Sequence, residues 1–283
     1  MEQRAREFGF TPADFEQVRT LIYQDAGISL APIKQEMVYS RLARRLRALG
    51  YSSFAQYLRH LESGDEVERE IFVNSLTTNH TSFFREAHHF DTLLRHLRKL
   101  QHRPLRIWCS AASTGEEAYT IAMTACEAFG TLAPPVSIIA SDIDTHVLAV
   151  AEKGVYPLDR AANLSADRLH RFFLKGRGLQ AGKVRVRPEL QELLRFMRIN
   201  LLDARFPLLG RFDVIFCRNV MIYFDKPTQR AILKKFADLL REDGLLFAGH
   251  SENFLQAADV FRPLGRTVYE RADQPVSKSA AGI

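Results

Sequence analysis

The stretch NHTSFFREAHHF, residues 79–90, sets three histidines, an arginine, an asparagine, a threonine and three phenylalanines in twelve positions ahead of an amphipathic run. Histidines raise the question of a metal. His80, His88 and His89 include no pair four residues apart, the spacing that puts two ligands on one helical face, and the only acid nearby is Glu86. The segment reads as site lining with no metal, and Phe83 and Phe84 read as core and wall.

Three more clusters end apolar runs. SAASTGEEAY, residues 110–119, follows LRIWC with small residues suited to a close turn but without the GxGxxG of a dinucleotide site, which disfavours a nicotinamide enzyme. Ser113 with Glu116 and Thr114 with Glu117 each match a helix capping box. Capping accounts for one glutamate; a second carboxylate could equally hold the cationic amino group of a ligand. Asp142 closes VSIIASD, the place from which an acid accepts hydrogen bonds from ribose hydroxyls in nucleotide-binding sheets. Ribose binding without a phosphate-cradling loop suggests a nucleoside cofactor lacking a diphosphate, and S-adenosylmethionine meets that description. Arg218 and Asn219 stand directly after FDVIFC. The asparagine lacks the Pro-Pro-Tyr that follows it in enzymes methylating amino nitrogens, so a nitrogen acceptor is disfavoured.

The elements that must position these residues are legible as two regimes. Residues 1–75 carry only helical patterns: TPADFEQVRTLIYQDAG, EMVYSRLARRLRALG, SSFAQYLRHL and DEVEREIFVNSL. Thr11-Pro12 supplies an N-terminal cap, and Gly27 and Gly50 sit where helices end. Residues 88–100 predict one more helix. From Leu105 short apolar runs alternate with helical patterns, in LRIWCSA, VSIIASDID, FMRIN, FDVIFCRN, GLLFAGH and TVYER, which predicts a mostly parallel, doubly wound α/β sheet. Ligands of such sheets bind beyond the carboxyl ends of the strands.

A chain of 283 residues with 46% hydrophobic content supports two cores. No apolar run approaches a membrane span, and MEQRAREFGF is charged from its second residue, so a cytoplasmic protein without a secretory signal is expected. Cys109, Cys126 and Cys217 form no CxxC pair and read as buried, reduced thiols. The net charge of +6 has a local source. From Lys34 to His60 stand six basic residues against the single acid Glu36, and Arg41, Arg44, Arg45 and Arg47 share one short helix whose other face carries Val38, Leu42, Leu46 and Leu49. A solvated face and a docking surface for an anionic partner remain equal readings.

The residues resemble the bacterial chemotaxis receptor methyltransferases of the CheR type, over about residues 10–270. The motifs that carry the resemblance are TNHTSFFREAHHF, SAASTGEEAY, ASDIDTHVL, VRVRPEL, FCRNVMIYFDK and LLFAGHSENF. The resemblance implies a Rossmann-like class I methyltransferase sheet, an N-terminal all-helical domain and a small inserted antiparallel β subdomain. The expected divisions are 1–87 for docking and cofactor cover, 88–272 for the catalytic domain with its insert at about 152–198, and 273–283 for a disordered tail. It implies transfer of a methyl group from S-adenosylmethionine to glutamates of methyl-accepting chemoreceptors, leaving S-adenosylhomocysteine, with no nucleic acid and no direct membrane insertion. Carried over by motif, Asn79, Thr81, Arg85, Glu117, Asp142, Asn200, Leu201, Arg218 and Asn219 would hold the cofactor.

A glutamate acceptor, with an ordinary pKa near 4.3, is already ionised at neutral pH, so no base is required. Arg85 would orient that carboxylate through its planar fork, and Tyr223 would add a hydrogen bond. Arg185 or Arg187 in VRVR would serve a peptide tether, in which a receptor C-terminal segment is added as a strand. Two other classes share the cofactor residues: a methyltransferase acting on RNA or a small molecule, and a non-catalytic module that only senses S-adenosylmethionine.

Overall fold

The computed structural model describes residues 6–273; positions 1–5 and 274–283, which include most of the expected tail, lie outside the described residues. The chain forms two compact units, one reaching to Thr78 and taking in Tyr223–Asp225, the other holding Asn79–Ile222 and the chain from Lys226 onward. The cofactor-covering segment expected to close the first unit thus belongs with the second.

The first unit contains helices α1 (Pro12–Ala26), α2 (Gln35–Leu49), α3 (Phe54–Glu62) and α4 (Glu66–Leu76). Local chemistry fixes their ends. Thr11 and Asp14 form a reciprocal capping box ahead of Pro12, Ser53 and Asp65 cap α3 and α4, and Gly27 and Gly50 close α1 and α2 in the left-handed conformation. Val38, Leu42 and Leu46 of α2 are fully buried, each stabilising the unit by roughly 1.5–3 kcal/mol.

The second unit runs α5 (His88–Lys99), β1 (Leu105–Cys109), α6 (Glu116–Phe129), β2 (Val136–Asp142), α7 (Thr145–Lys153), β3 (Val155–Pro157), α8 (Ala166–Phe172), β4 (Phe173–Lys175), β5 (Lys183–Val186), α9 (Pro188–Gln191), β6 (Leu194–Arg198), β7 (Phe212–Cys217), α10 (Lys226–Leu239), β8 (Leu240–Ala248), β9 (Phe261–Gly265) and β10 (Val268–Arg271). The main sheet has the order β6-β2-β1-β7-β8-β10-β9. Its strands from β6 to β8 are parallel, and β10 runs antiparallel between β8 and β9. β1 and β7, in the middle of the sheet, are buried along almost their whole length, which is why LRIWC and FDVIFC run nearly apolar without alternation. Phe216 of β7 stacks on Phe247 of β8 with ring centroids 4.4 Å apart, and the Trp108 indole donates to Ser141 Oγ at 2.9 Å. The strand order reverses at β1, whose neighbours are β2 and β7, so the ligand crevice of this topology opens outside their carboxyl ends.

Between α7 and β6 sits the antiparallel sheet β3-β5-β4. Its inner face buries Tyr156, Phe173, Val184 and Val186, while Arg185 lies outward, level with Val155 and Leu174. The strand expected at Val184–Arg187 is therefore the middle strand, with both edges taken. A peptide cannot add to it; the available edges are β3 and β4. The last expected insert residues, Leu194–Arg198, form β6 of the main sheet instead.

Candidate functional site

Two chain segments leave adjacent parallel strands and meet at the crevice. Directly after β7, Arg218 is 4% exposed; its Nη1 donates to Glu117 Oε2 at 2.6 Å and its Nη2 to the Arg85 carbonyl at 2.6 Å. Glu86 Oε2 lies 3.3 Å from the same guanidinium. One arginine therefore joins α6, the 79–87 segment and the end of β7. Burial opposes ionisation of Glu86, yet Arg218 together with the His250 N–H groups holds its carboxyl down at about 2. Burial raises the Glu117 carboxyl against the pull of Arg218 and of the Cys109 thiol, whose sulfur lies 3.4 Å from Glu117 Oε1.

Glu116 and Glu117 do not complete capping boxes. Helix α6 starts from Gly115, in the left-handed conformation at φ 97°, with no side-chain cap. A side chain at Gly115 would stand 2.8 Å from both Ala151 Cβ and the Tyr156 hydroxyl, so close approach requires the glycine. Glu116 instead pairs with Arg160 and accepts the Thr114 hydroxyl at 2.6 Å, leaving Glu117 to face Arg218.

Asp142, at the end of β2, accepts backbone N–H bonds from Ser113 at 2.8 Å and Asp144 at 3.1 Å. Burial pushes its carboxyl up to about 6 against those bonds. Asn200 and Leu201 follow β6 beside it: the Ile199 N–H bonds the Asp142 carbonyl at 3.1 Å, and Leu201 is buried. Asn79 donates its side-chain amide to Asp144 at 2.7 Å, and its carbonyl accepts the Ser113 hydroxyl at 3.0 Å; Thr81 is buried close behind.

Three acids that the sequence reading did not assign to the site belong to it: Glu86, Asp144 and Glu252. Glu252, 4% exposed, accepts the N–H groups of Gly249 at 2.6 Å, Met221 at 2.8 Å and Asn219 at 2.9 Å. It ties the loop after β8 to the loop after β7 and holds Asn219 at φ 58°. The GHSE signal was present in the sequence but says nothing by itself about three backbone donors.

Tyr223 groups with the helical unit, where its carbonyl accepts the Ser29 N–H at 2.8 Å. The Glu86, His88 and His89 ligand atoms lie within 4.8 Å of one another. A cation there would meet the Arg218 guanidinium, and His89 already bonds the Arg266 carbonyl at 2.9 Å through Nε2. The four docking arginines differ in their ties. Arg41 donates to the carbonyls of Leu76 at 2.9 Å and Thr77 at 2.7 Å, Arg45 forks onto buried Glu68, and Arg47 pairs with Glu7 at 2.9 Å. Arg44 is exposed, and none of its contacts appears among the described residues.

Comparison with known proteins settles what this arrangement belongs to. Residues 79–270 match the family model described as the CheR methyltransferase SAM-binding domain, and residues 13–77 match the CheR methyltransferase all-alpha domain. The chain belongs to the CheR family. Chemotaxis protein methyltransferase 2 of Pseudomonas aeruginosa is 55% identical over 269 residues, covering 94% of this chain and 96% of that one. Chemotaxis protein methyltransferase of Salmonella typhimurium is 50% identical over 268 residues, covering 94% and 93%. A CheR-family protein with these relatives is an S-adenosylmethionine-dependent methyltransferase of chemotaxis.

The residues fit that cofactor. Among the described residues, Arg218 Nε and Glu86 Oε2 are both buried and make no hydrogen bond, and Glu86 Oε2 stands 3.3 Å from Arg218 Nη2, so an anionic and a cationic handle lie side by side. An amino-acid zwitterion such as the methionine end of S-adenosylmethionine has the complementary pair.

Proposed function

We propose that the methyl acceptor is a glutamate side chain on the acidic cytoplasmic helices of a methyl-accepting chemoreceptor, and that the product is its methyl ester. The observation that carries this reading is the placement of Arg85. It stands on the segment fixed to Arg218 through its carbonyl, with Nη1 bonded to the His80 carbonyl at 2.9 Å and no other described partner for the remaining edge of its guanidinium.

S-adenosylmethionine, when bound, supplies an electrophilic methyl group on a sulfonium centre. Asp142 would hold the ribose, Glu86, Glu117 and Arg218 the amino-acid end, and Asn79, Thr81, Asn200, Leu201 and Asn219 the walls. Arg85 would turn the acceptor carboxylate into line. No proton has to move, because the acceptor is ionised at neutral pH. Alignment of reacting atoms at roughly 3–3.5 Å is the service required. The reaction would run in the cytoplasm, with the receptor helices; the three buried free cysteines suit that compartment.

Docking on the helical unit falls chiefly to Arg44. A receptor C-terminal peptide would add at β4, beside exposed Leu174, with Arg185 next to it on the same face, whereas Arg187 is turned toward the His170 carbonyl at 3.4 Å.

Incubation with methyl-labelled S-adenosylmethionine and receptor cytoplasmic fragments is expected to leave base-labile label on the receptor. Base-stable label, or label only on RNA or a small molecule, would overturn the reading. Arg85→Lys keeps charge but loses the fork, so turnover should fall far more than affinity for S-adenosylhomocysteine. A parallel fall would make Arg85 a cofactor ligand alone.

A further inference from the structure

The turn that carries Arg85 is strained. Phe84 and Glu86, on either side of it, both adopt positive φ, 51° and 55°, which bulky residues keep only when their surroundings enforce it. Arg218 enforces it from the sheet side. The opposite side is supplied by the inserted subdomain. The Arg168 guanidinium of α8 stacks 3.8 Å from the Phe84 ring centroid while forking onto Glu127 of α6 at 2.7 and 3.0 Å. Asn163, just before α8, donates its side-chain amide to the Phe83 carbonyl. The Phe83 ring is fully buried, edge-on to Tyr156 of β3 at 5.2 Å and to Phe173 of β4 at 5.5 Å.

We infer that Arg168 is a positioning residue for methyl transfer: through Phe84 it clamps the strained turn that aims Arg85, so the insert is part of the catalytic apparatus whether or not it also holds a peptide. The pair is suited to the task. Glu127 fixes the plane of the guanidinium, and a fixed plane over an aromatic ring limits both the rotation and the withdrawal of that ring. The start of the same segment is held separately, by Asp144 on Asn79 and by Ser113 on the Asn79 carbonyl. Releasing Phe84 therefore loosens Arg85 first, because Glu86, the cofactor residue on the same turn, stays held by Arg218 at 3.3 Å and by His250 at 3.4 Å. This rests on the reading of Arg85 as the residue that orients the acceptor.

The test uses the full chain with Arg168→Met, Arg168→Lys and Phe84→Leu, measuring receptor methylation, S-adenosylhomocysteine affinity by calorimetry and melting temperature. Arg168→Met and Phe84→Leu are expected to lower kcat roughly tenfold or more, since displacing an aligned group by about 1 Å can cost a hundredfold. Affinity for S-adenosylhomocysteine should stay within about threefold, the size expected where the groups on the cofactor side are undisturbed. Arg168→Lys, which keeps a cation over the ring but not the fork, should recover part of the rate. Unchanged kcat in both Arg168→Met and Phe84→Leu overturns the proposal. So does a parallel fall of kcat, affinity and melting temperature, which would make the contact merely structural. If Arg168→Met does not fold, Phe84→Leu decides alone. Should Arg85→Lys retain full turnover, the reading of Arg85 fails instead, independently of the clamp.

Discussion

Arg218 and Glu117 form a buried ion pair at 2.6 Å, and the same guanidinium also faces Glu86 Oε2 at 3.3 Å. Removing the arginine leaves Glu117 and Glu86 facing each other without a countercharge. Breaking a buried pair from one side costs about 3–5 kcal/mol. Arg218→Met should therefore lower stability by that order, measured by urea unfolding, and abolish S-adenosylhomocysteine binding. Adding Glu117→Gln should restore part of the stability and none of the binding. Full recovery of binding in the double variant would remove Arg218 from the cofactor site.

Asp142→Asn should weaken S-adenosylhomocysteine affinity by on the order of 1.5–3 kcal/mol, the worth of hydrogen bonds to a charged acceptor. Because burial raises this carboxyl to about 6, wild-type affinity should also fall as pH drops from 7 to 5, the protonated form being a poorer acceptor for two hydroxyls. Calorimetry at those pH values checks both statements. A pH dependence that survives in Asp142→Asn would place its source elsewhere.

His89 and His96 titrate at about 4 in the folded chain, against 6.5 when free, chiefly because burial disfavours their charged forms. Between those values the unfolded chain binds more protons than the native one, so each histidine's contribution rises with pH and is lost as pH falls from about 6.5 to about 4. Asp142, raised from 3.8 to about 6, acts in the opposite sense, its native form taking up protons first. A variant isolates the histidine effect from this balance. Relative to His96→Gln, the wild type should lose unfolding free energy on going from pH 7 to pH 5. A constant difference between the two proteins would contradict the assignment.

Arg44→Glu should weaken receptor capture, seen as a higher KM for receptor, and wild-type activity should fall with added salt as surface attraction is screened. Melting temperature should not change. Arg45→Met should do the reverse, losing stability because buried Glu68 is left without its fork. Salt-independent methylation rates would exclude the steering role of Arg44.

Much of this was legible in the sequence where the signal is local. Thr11 and Gly27 announced a helix and its end, the apolar runs at Leu105, Val136 and Phe212 announced buried parallel strands, and Asp142 and Arg218 announced themselves by closing such runs. What could not be read was partnership at a distance. Arg45 and Glu68 lie 23 residues apart and Arg218 and Glu86 far more, and periodicity carries no information about such pairs. β3 and β4 are three residues each, too short to show alternation, and β9 contains Pro263 and Gly265, which read as loop. The capping boxes at Ser113 and Thr114 failed because Gly115 takes a left-handed conformation that no spacing rule anticipates.

The position of β10 has a consequence for synthesis. β9 leaves the ribosome before β10, yet β9 joins the sheet only through β10, which bonds β8 on one side and β9 on the other. Until Arg271 has cleared the exit tunnel, β8 presents a bare edge and β9 has no ladder to join. The catalytic unit must then close its sheet only after its last strand has emerged, and a nascent chain stalled before Val268 would expose that edge to any neighbouring strand.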